Sequence, residues 1–222
     1  AVGANLWRMV VSGELWLHSW TTFLEAGLGF LVGGVAGIVI GVLLGENEKL
    51  GQVLDSLIVA FNSIPRIALA PLFVLWFGIG LPFKVVLAGT IVFFLTFMNT
   101  YEGVRSVPQP YKDIMQIVGG KRRDVLLKVV LPCSIPWIIT GLAISIPYAM
   151  IGAIVGEFMA ASRGLGFLAQ RASANFDTAG TLSSILVIAL VVMILNKLLG
   201  SVQQKLMRWK FTGTQQTRGT AI

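Results

Sequence analysis

Long uninterrupted runs of apolar residues dominate the pattern of this chain. Five of them are long enough to cross a hydrocarbon layer about 30 Å thick, which takes about 20 helical residues. The runs cover about residues 21–44, 57–77, 82–100, 129–155 and 179–199. Because they are continuous and do not alternate between apolar and polar positions, they predict transmembrane helices and not a β-barrel. The pattern therefore predicts an all-α, polytopic transmembrane helical bundle with five spans.

The composition supports a lipid environment. The 222 residues are 55% hydrophobic and only 12% charged, whereas soluble domains carry about 25% charged residues. These values exclude a cytosolic enzyme, a secreted disulfide scaffold and a disordered regulator. The single cysteine, Cys133, cannot form an internal disulfide, and the single histidine, His18, offers too few ligands for a histidine-based metal site. We therefore predict no metal site.

The basic residues predict the orientation of the spans. A net charge of +7 can indicate nucleic-acid binding, but basic cytoplasmic loops explain the charge of a membrane protein, so no nucleic-acid partner is predicted. Most lysines and arginines fall in the loop 101–128 and the tail 201–222, which should be cytoplasmic. The lead-in, residues 1–20, should then lie outside. Since it does not resemble a signal peptide, we expect a further span before Ala1.

Glycines recur at every fourth position of the first span. The series comprises Gly29, Gly33, Gly37, Gly41 and Gly45. This spacing clears a groove that lets another helix backbone approach closely. We therefore favour helix packing over a ligand role for these glycines. Glu25, near the outer end of the same span, is expected to reach the membrane interface.

The second span carries an arginine between two prolines. Pro65 and Pro71 each lack a backbone donor and should kink or break the helix. An arginine near the middle of a span costs roughly 2.5–3.5 kcal/mol on insertion scales, so Arg66 should face protein or water. Two interpretations remain open: a cation beside a translocation path, or a structural arginine held by the broken helix ends or by an acid. Three polar residues of the spans are further candidates to line such a path. They are Asn62, in the same span as Arg66, and Asn99 and Tyr148, in two other spans.

The fourth span contains Pro132, Pro136 and Pro147, which predict another broken helix. It ends at Glu157, an acid near the membrane boundary and a further candidate for the path or for substrate contact. A polar loop with Gly164-Leu165-Gly166 follows. This short motif has no preceding strand and is not a dinucleotide fingerprint.

The loop 101–128 predicts a short amphipathic helix. Pro108 and Pro110 stop the preceding helix, and Gly119-Gly120 ends the next one. Its apolar stripe consists of Ile114, Ile117 and Val118. The basic run 121–123 follows. From the residues alone the helix fits either a docking element for a cytoplasmic partner or an interfacial helix on anionic lipid.

No catalytic chemistry is visible. Gly119-Gly120-Lys121 is followed by arginine and lacks the earlier glycine of a P-loop, so we predict that this chain binds no ATP. One histidine leaves no plausible Ser/His/Asp triad. We therefore predict a non-enzymatic protein that binds no cofactor. If it moves a solute uphill, a partner must supply the energy.

Three stretches carry a family resemblance. The first is residues 64–80, with the sequence IPRIALAPLFVLWFGIG. The second is the loop, which is similar to an EAA signature. Four residues fit its spacing: Gly119, Val129, Leu131 and Pro132. Asp113-Ile114-Met115 stands where Glu-Ala-Ala is usual. The third is Gly156-Glu157-Phe158 followed by Gly164-Leu165-Gly166. On these residues the chain resembles the permease subunits of bacterial ABC importers, in the nitrate/taurine/aliphatic-sulfonate branch.

The resemblance implies a type I ABC importer permease fold with six transmembrane helices in the bacterial inner membrane. It also implies a homodimer, two ATPase subunits that bind ATP and Mg, and a periplasmic substrate-binding protein. The coupling helix of the family falls on about residues 111–123, so partner docking becomes favoured over a lipid surface. The candidate docking residues are Tyr111, Asp113, Ile114, Ile117, Val118, Gly119, Lys121 and Arg122.

The favoured function is thus import of a small solute, expected to be an oxyanion such as nitrate, a sulfonate or taurine. One alternative is a permease for an uncharged vitamin precursor of the pyrimidine or flavin type. A channel or ion-coupled secondary transporter is a second alternative, but it calls for acids within the spans or an inverted repeat, and neither is visible.

Overall fold

The described residues of the chain are helical, with turns between the helices. A computed structural model describes residues 2–47, 51, 53, 57, 58 and 60–206, and no β-strand occurs among them. The chain begins with a short helix, α1 (Val2–Val11), and turns at Gly13, which has a φ of 74°. The long helix α2 (Glu14–Glu46) follows. It starts earlier than the first predicted span because the preceding residues also continue its apolar stripe.

Within the described residues, four helices are long and apolar enough to cross a membrane. They are α2 and three later helices: α4 (Leu81–Arg105), α7 (Leu131–Ala160) and α9 (Thr178–Leu206). Each overlaps a predicted span. The expected basic tail begins within α9, and its residues 207–222 lie outside the described part of the chain.

The predicted second span, 57–77, is not a single spanning helix. After a turn near Pro65 the chain forms a 3₁₀ turn at Arg66–Leu69 and the short helix α3 (Ala70–Phe77). Pro65 causes the break because it lacks a donor and disfavours helical backbone before it. The segment still follows α4 along its length, since Ile58 packs near Phe97 and α3 packs on the first turns of α4. Its polar break is therefore placed halfway along the bundle.

The predicted break in the fourth span is wrong. The short helix α6 (Arg122–Val125), a π-helical turn (Leu126–Val130) and α7 form one continuous helix from Arg122 to Ala160. Pro132 lies just after the π-helical turn, and such a local change in hydrogen bonding accommodates the donor that proline lacks. Pro136 and Pro147 lie inside α7. Close packing against α2 and α4 holds this helix together, as is common for proline in membrane bundles.

The centre of the bundle is the contact between α2 and α4, which run in the same direction. The five glycines selected from the sequence are buried and all face α4: Gly29, Gly33, Gly37, Gly41 and Gly45. A Cβ at residue 33 would overlap the carbonyl of Gly89, and one at residue 37 would lie 2.8 Å from the Phe93 carbonyl oxygen. Only residues without a side chain allow the two backbones to approach this closely.

Two short helices lie at opposite ends of the bundle. Helix α5 (Gln109–Ile117) follows α4, and we call this side the Gln109 end. Helix α8 (Leu165–Ala174) follows α7 and packs beside α9 at the opposite side, which we call the His18 end. Helix α5 thus lies outside the long helices at the Gln109 end, and α8 lies at the His18 end, where α1 packs against it.

Candidate functional site

Helix α5 presents an uncovered apolar stripe. Its members are Tyr111, Ile114, Ile117 and Val118, and all are exposed. Ile117 is the most open of them, with 83% of its surface accessible. The rest of the helix surface is mainly polar, so the stripe is confined to one face. An apolar stripe on a polar helix is suited to insertion into a groove on another molecule.

The side of α5 that lies away from Ile117 fixes the helix to the bundle. Met115 packs against a buried cluster that contains Val42 of α2, Val104 of α4 and Val130 at the start of the α7 helix. Glu46 accepts a hydrogen bond from Arg122 Nε at 3.3 Å. A force applied to α5 would therefore reach three of the long helices through direct contacts.

The two ends of α5 are sharply defined. Pro108 precedes the helix in an extended conformation. At the other end Gly119 has a φ of 85°, a conformation that side chains other than glycine rarely adopt. The N–H of Gly120 donates to the Met115 carbonyl at 2.9 Å. This turn redirects the chain from α5 into the long helix that begins at Arg122.

Of the polar docking candidates, Lys121 and Arg122 follow this turn directly, whereas Asp113 lies within α5. Asp113 accepts a hydrogen bond from Gln109 Nε2 at 2.9 Å within α5. The N–H of Lys121 donates to Asp124 Oδ2 at 3.0 Å and so starts the next helix. The side chains of Lys121 and Arg122 are exposed. Two exposed cations therefore stand beside the apolar stripe.

Arg66 and Asn62 are brought together at the break in the second predicted span. The Arg66 guanidinium donates through Nη2 to the carbonyl and to the side-chain oxygen of Asn62. It also lies over the ring of Phe94, with Cζ 4.5 Å from the ring centroid. Its Nε is buried and has no hydrogen-bond partner among the described residues. Arg66 thus keeps one donor unused halfway along the bundle. The sequence offered no signal for Phe94, because an aromatic residue in an apolar run has no distinguishing pattern.

The structure places the other path candidates apart from this pair. Asn99 Nδ2 donates to the Leu95 carbonyl at 2.8 Å, within α4. Tyr148 lies on α7, where its side chain is exposed. Neither residue contacts Arg66 in the hydrogen bonds of the described part of the chain. Their role beside a path therefore rests on the proposal below.

Glu157 is not exposed to an open path in this structure, in contrast to its selection as a path candidate. The residue is fully buried at the His18 end. Its Oε1 accepts from the Thr22 hydroxyl at 2.6 Å, and its Oε2 accepts from the N–H of Gly166 at 2.6 Å. Both carboxylate oxygens are therefore occupied by donors of the chain itself.

Thr22 and His18 complete this hydrogen-bonded group. Thr22 Oγ1 also accepts the N–H of Leu165 at 2.9 Å, and His18 Nδ1 accepts the N–H of Gly164 at 2.8 Å. The backbone N–H groups of residues 164, 165 and 166 thus donate in succession to His18, Thr22 and Glu157. These bonds hold the start of α8 to one turn of α2 and to the end of α7. His18 and Thr22 were not predicted for this role, since nothing in the local pattern of α2 indicates partners so distant in sequence.

Glu25 does not reach the membrane interface, so that expectation is wrong. Its side chain is buried and pairs with Lys84 Nζ, whose side chain is also buried. Burial is possible because each charge neutralises the other inside the bundle. The sequence did contain a signal for this pair. Lys84 lies at the start of the apolar run 82–100, and a cation in such a run requires an anionic partner.

These elements define a polytopic helical membrane protein with a short helix at one end whose apolar stripe is exposed. Residues 33–210 match the family described as the binding-protein-dependent transport system inner membrane component, and the chain belongs to this family. The family resemblance stated from the sequence is therefore confirmed. The protein is an ABC importer permease, a transport subunit.

Named relatives differ in the solute that their names give. The chain is 33% identical to the formylaminopyrimidine transport permease protein ThiX of Halalkalibacterium halodurans, over 87% of this chain and 77% of the relative. It is also 33% identical to the taurine transport system permease protein TauC of Escherichia coli, over 90% of this chain and 72% of the relative. The names of relatives in this family thus cover two chemical classes of solute, a pyrimidine and an aminosulfonate.

A solved structure supports the fold. The chain is similar to the MetNI methionine ABC transporter in an inward-facing conformation, with a TM-score of 0.74 at 20% identity. The similarity covers 87% of this chain and 95% of that chain. The predicted all-α, type I ABC importer permease fold is therefore confirmed.

Proposed function

We propose that this chain forms the translocation path of an ATP-driven importer for a small solute. A periplasmic binding protein delivers the solute, and two ATPase subunits supply the energy, with ATP and Mg bound on those subunits. The observation that carries this proposal is the exposed stripe of α5 joined through Met115 to the long helices. The chain has no visible P-loop of its own, so such a contact is required to transmit the energy.

A protein partner explains α5 better than a lipid surface does. The stripe is short, and a turn at Gly119 and a proline at residue 108 bound it closely. A lipid surface requires no defined ends, whereas a groove on a partner accepts a helix of limited length. The contact of Arg122, at the start of α6, with Glu46 also fixes the turn after α5 relative to the bundle. We assign the Gln109 end to the cytoplasmic side, where the ATPase subunits lie.

Cross-linking from the two faces of α5 tests this assignment. In a Cys133→Ser background, Ile117→Cys carries a photoactivated cross-linker on the exposed face, and Met115→Cys carries the same reagent on the bundle face. We expect Ile117→Cys to cross-link to the co-expressed ATPase and Met115→Cys to remain uncross-linked. Reaction of Ile117→Cys with lipid alone would contradict the proposed contact.

A second copy of the chain is proposed to close the path. Arg66 is only half-buried in one copy, and an arginine at this depth must face protein or water. The break at residues 62–65 also leaves backbone groups that lipid cannot satisfy. A homodimer with these segments facing one another would enclose a water-filled path. Its subunit number can be measured by native mass spectrometry of the purified complex.

The proposed solute is a small oxyanion, because the half-buried guanidinium of Arg66 places a positive charge beside Asn62. Guanidinium groups bind such anions through charge-assisted hydrogen bonds. Asn99 and Tyr148 are proposed as polar residues farther along the path. An uncharged precursor is the second candidate, since relatives include a permease named for formylaminopyrimidine.

Uptake by the reconstituted importer distinguishes the two solute classes. The binding protein encoded with this permease is first tested with nitrate, taurine, an alkanesulfonate and formylaminopyrimidine. For an anionic solute we expect Arg66→Gln to lower uptake and Arg66→Lys to retain more of it, with the complex assembled in both variants. Equal uptake by the wild type and Arg66→Gln would return Arg66 to a structural role.

A further inference from the structure

Helix α1 has three distinct faces. The residues of its packed face, Val2, Leu6 and Met9, point toward the bundle, where Leu6 and Met9 contact α8 and α9 through Leu165, Leu168 and Val187. A polar face consists of Asn5, Arg8 and Ser12, and it lines an open cavity of about 430 Å³ beside α8. The third face is apolar and uncovered, and its large residues are Trp7, Val10 and Val11. On a helix of 3.6 residues per turn these faces point in three separate directions.

The uncovered face of α1 continues into a long stripe of α2. Trp16 and Trp20 are 79% and 63% exposed, and Trp7 is 71% exposed. Beyond Trp20 the same side of α2 presents only aliphatic residues: Leu24, Leu28, Leu31, Val35 and Val39, all exposed. Tryptophan is enriched at the level of the lipid headgroups, and leucine and valine in the hydrocarbon region. The change from tryptophan to leucine therefore locates the hydrocarbon boundary near residues 20–24.

This boundary places α1 within the headgroup layer. About six residues separate Trp20 from the start of α2, which corresponds to about 9 Å along the helix. The headgroup region on each side of the hydrocarbon is roughly 5–8 Å thick, and an interfacial helix buries its apolar face about 5–10 Å into that region. The turn at Gly13, in which its N–H donates to the Val10 carbonyl at 3.2 Å, lets α1 leave the direction of α2 at this level.

We propose that α1 is an interfacial helix, with Trp7, Val10 and Val11 in contact with lipid. Its polar face meets water, and its packed face holds it against α8 and α9. Lipid is the occupant that fits because the uncovered face is continuous with the lipid-facing stripe of α2 and is rich in tryptophan. Exposure of this face to water would be unfavourable, since it would leave large apolar side chains hydrated. Arg8, on the adjacent face, can reach the lipid phosphates.

Site-directed spin labelling of the assembled permease–ATPase complex in nanodiscs tests this proposal. Nitroxides are attached to Trp7→Cys, Val11→Cys and Ser12→Cys in a Cys133→Ser background. Collision with oxygen reports lipid, and collision with a water-soluble nickel chelate reports water. Leu31→Cys serves as the mid-span reference, and ATP-driven uptake by each labelled complex verifies assembly.

We expect oxygen to relax the labels at residues 7 and 11 more strongly than the nickel chelate does. The ratio of the two effects should place these labels at a shallower depth in the bilayer than the label at residue 31. The label at residue 12, one position along the chain, should respond mainly to the chelate. Strong chelate access at both residues 7 and 11 would place this face in water. Protection of both labels from both reagents would show that a protein surface covers α1. Either result would overturn the proposal. Because residues 7 and 11 lie on the same face, one of them is sufficient for the test if the other variant fails to assemble.

Discussion

The carboxylate of Glu157 fills the space in which any residue other than glycine at position 164 would place its Cβ. A Cβ built on Gly164 would overlap Glu157 Oε1 and lie only 2.6 Å from Oε2. Gly164 also has a φ of 121°, which disfavours other residues. Packing and backbone conformation therefore both require glycine at this position.

Gly164→Ala should accordingly disrupt the His18 end. Alanine must push Glu157 from the donors of Thr22 and Gly166 as well as adopt a strained backbone, at a cost of about 3 kcal/mol or more. The expected result is a lower unfolding temperature and less monodisperse protein on size-exclusion chromatography. Gly27→Ala is the matched control, because nothing lies within 4 Å of its Cβ. Equal unfolding temperatures for both variants would contradict this account.

The sequence identified both parts of this contact but not the contact itself. Glu157 and the Gly164-Leu165-Gly166 motif were selected separately, and the hydrogen bond from Gly166 spans only nine residues. Thr22, by contrast, is 135 residues away from the carboxylate that it contacts. A local pattern carries no information on which distant hydroxyl a buried acid will meet, so this half of the site required the structure.

Thr22→Val should destabilise the same end through hydrogen bonding alone. The substitution keeps the shape of the side chain but removes a donor to Glu157 and an acceptor for the N–H of Leu165. Groups left unsatisfied in a buried site cost about 1–3 kcal/mol each. We expect a lower unfolding temperature for Thr22→Val, measured in nanodiscs. Thr22→Ser retains the hydroxyl and should be close to wild type, and a larger loss for serine than for valine would oppose this mechanism.

The buried pair of Glu25 and Lys84 gives a prediction about charge. Lys84→Met leaves the Glu25 carboxylate buried without its cation, and breaking a buried pair costs about 3–5 kcal/mol. We expect a severe loss of folded protein. The double variant Glu25→Gln/Lys84→Met removes both charges and should recover part of that loss. Unfolding temperatures of the single and double variants measure the effect, and no recovery in the double variant would argue against charge pairing as its cause.

The apolar runs predicted four of the long helices because a span must satisfy its own backbone and expose an apolar surface to lipid. The prolines predicted the breaks in these helices less well. Pro65 breaks its segment, whereas Pro136 and Pro147 lie within a continuous helix. The difference arises from packing: α7 is supported by α2 and α4 along its length, and the sequence does not reveal that support. The short helices α1 and α8 were not predicted, since neither is long enough to give a span signal.

The final prediction concerns energy transfer through the turn after α5. Gly119 has a φ of 85°, and a Cβ at this position would meet nothing within 4 Å. A substitution therefore acts through the backbone conformation and not through a collision. Valine is strongly disfavoured at positive φ because it is β-branched, whereas asparagine tolerates this region. Gly119→Val should change the angle between α5 and the helix that begins at Arg122, while Gly119→Asn should preserve it.

On the proposed function, Gly119→Val abolishes transport while the long helices still insert, and Gly119→Asn retains much of the uptake. Either the ATPase no longer co-purifies with Gly119→Val, or it stays bound and hydrolyses ATP without responding to the loaded binding protein. Uptake into proteoliposomes and ATPase activity with and without that binding protein distinguish these outcomes. The same measurements on permease alone should give no ATPase activity. Normal transport by Gly119→Val, together with cross-links that place Ile117 away from the ATPase, would show that energy enters the permease at a different surface.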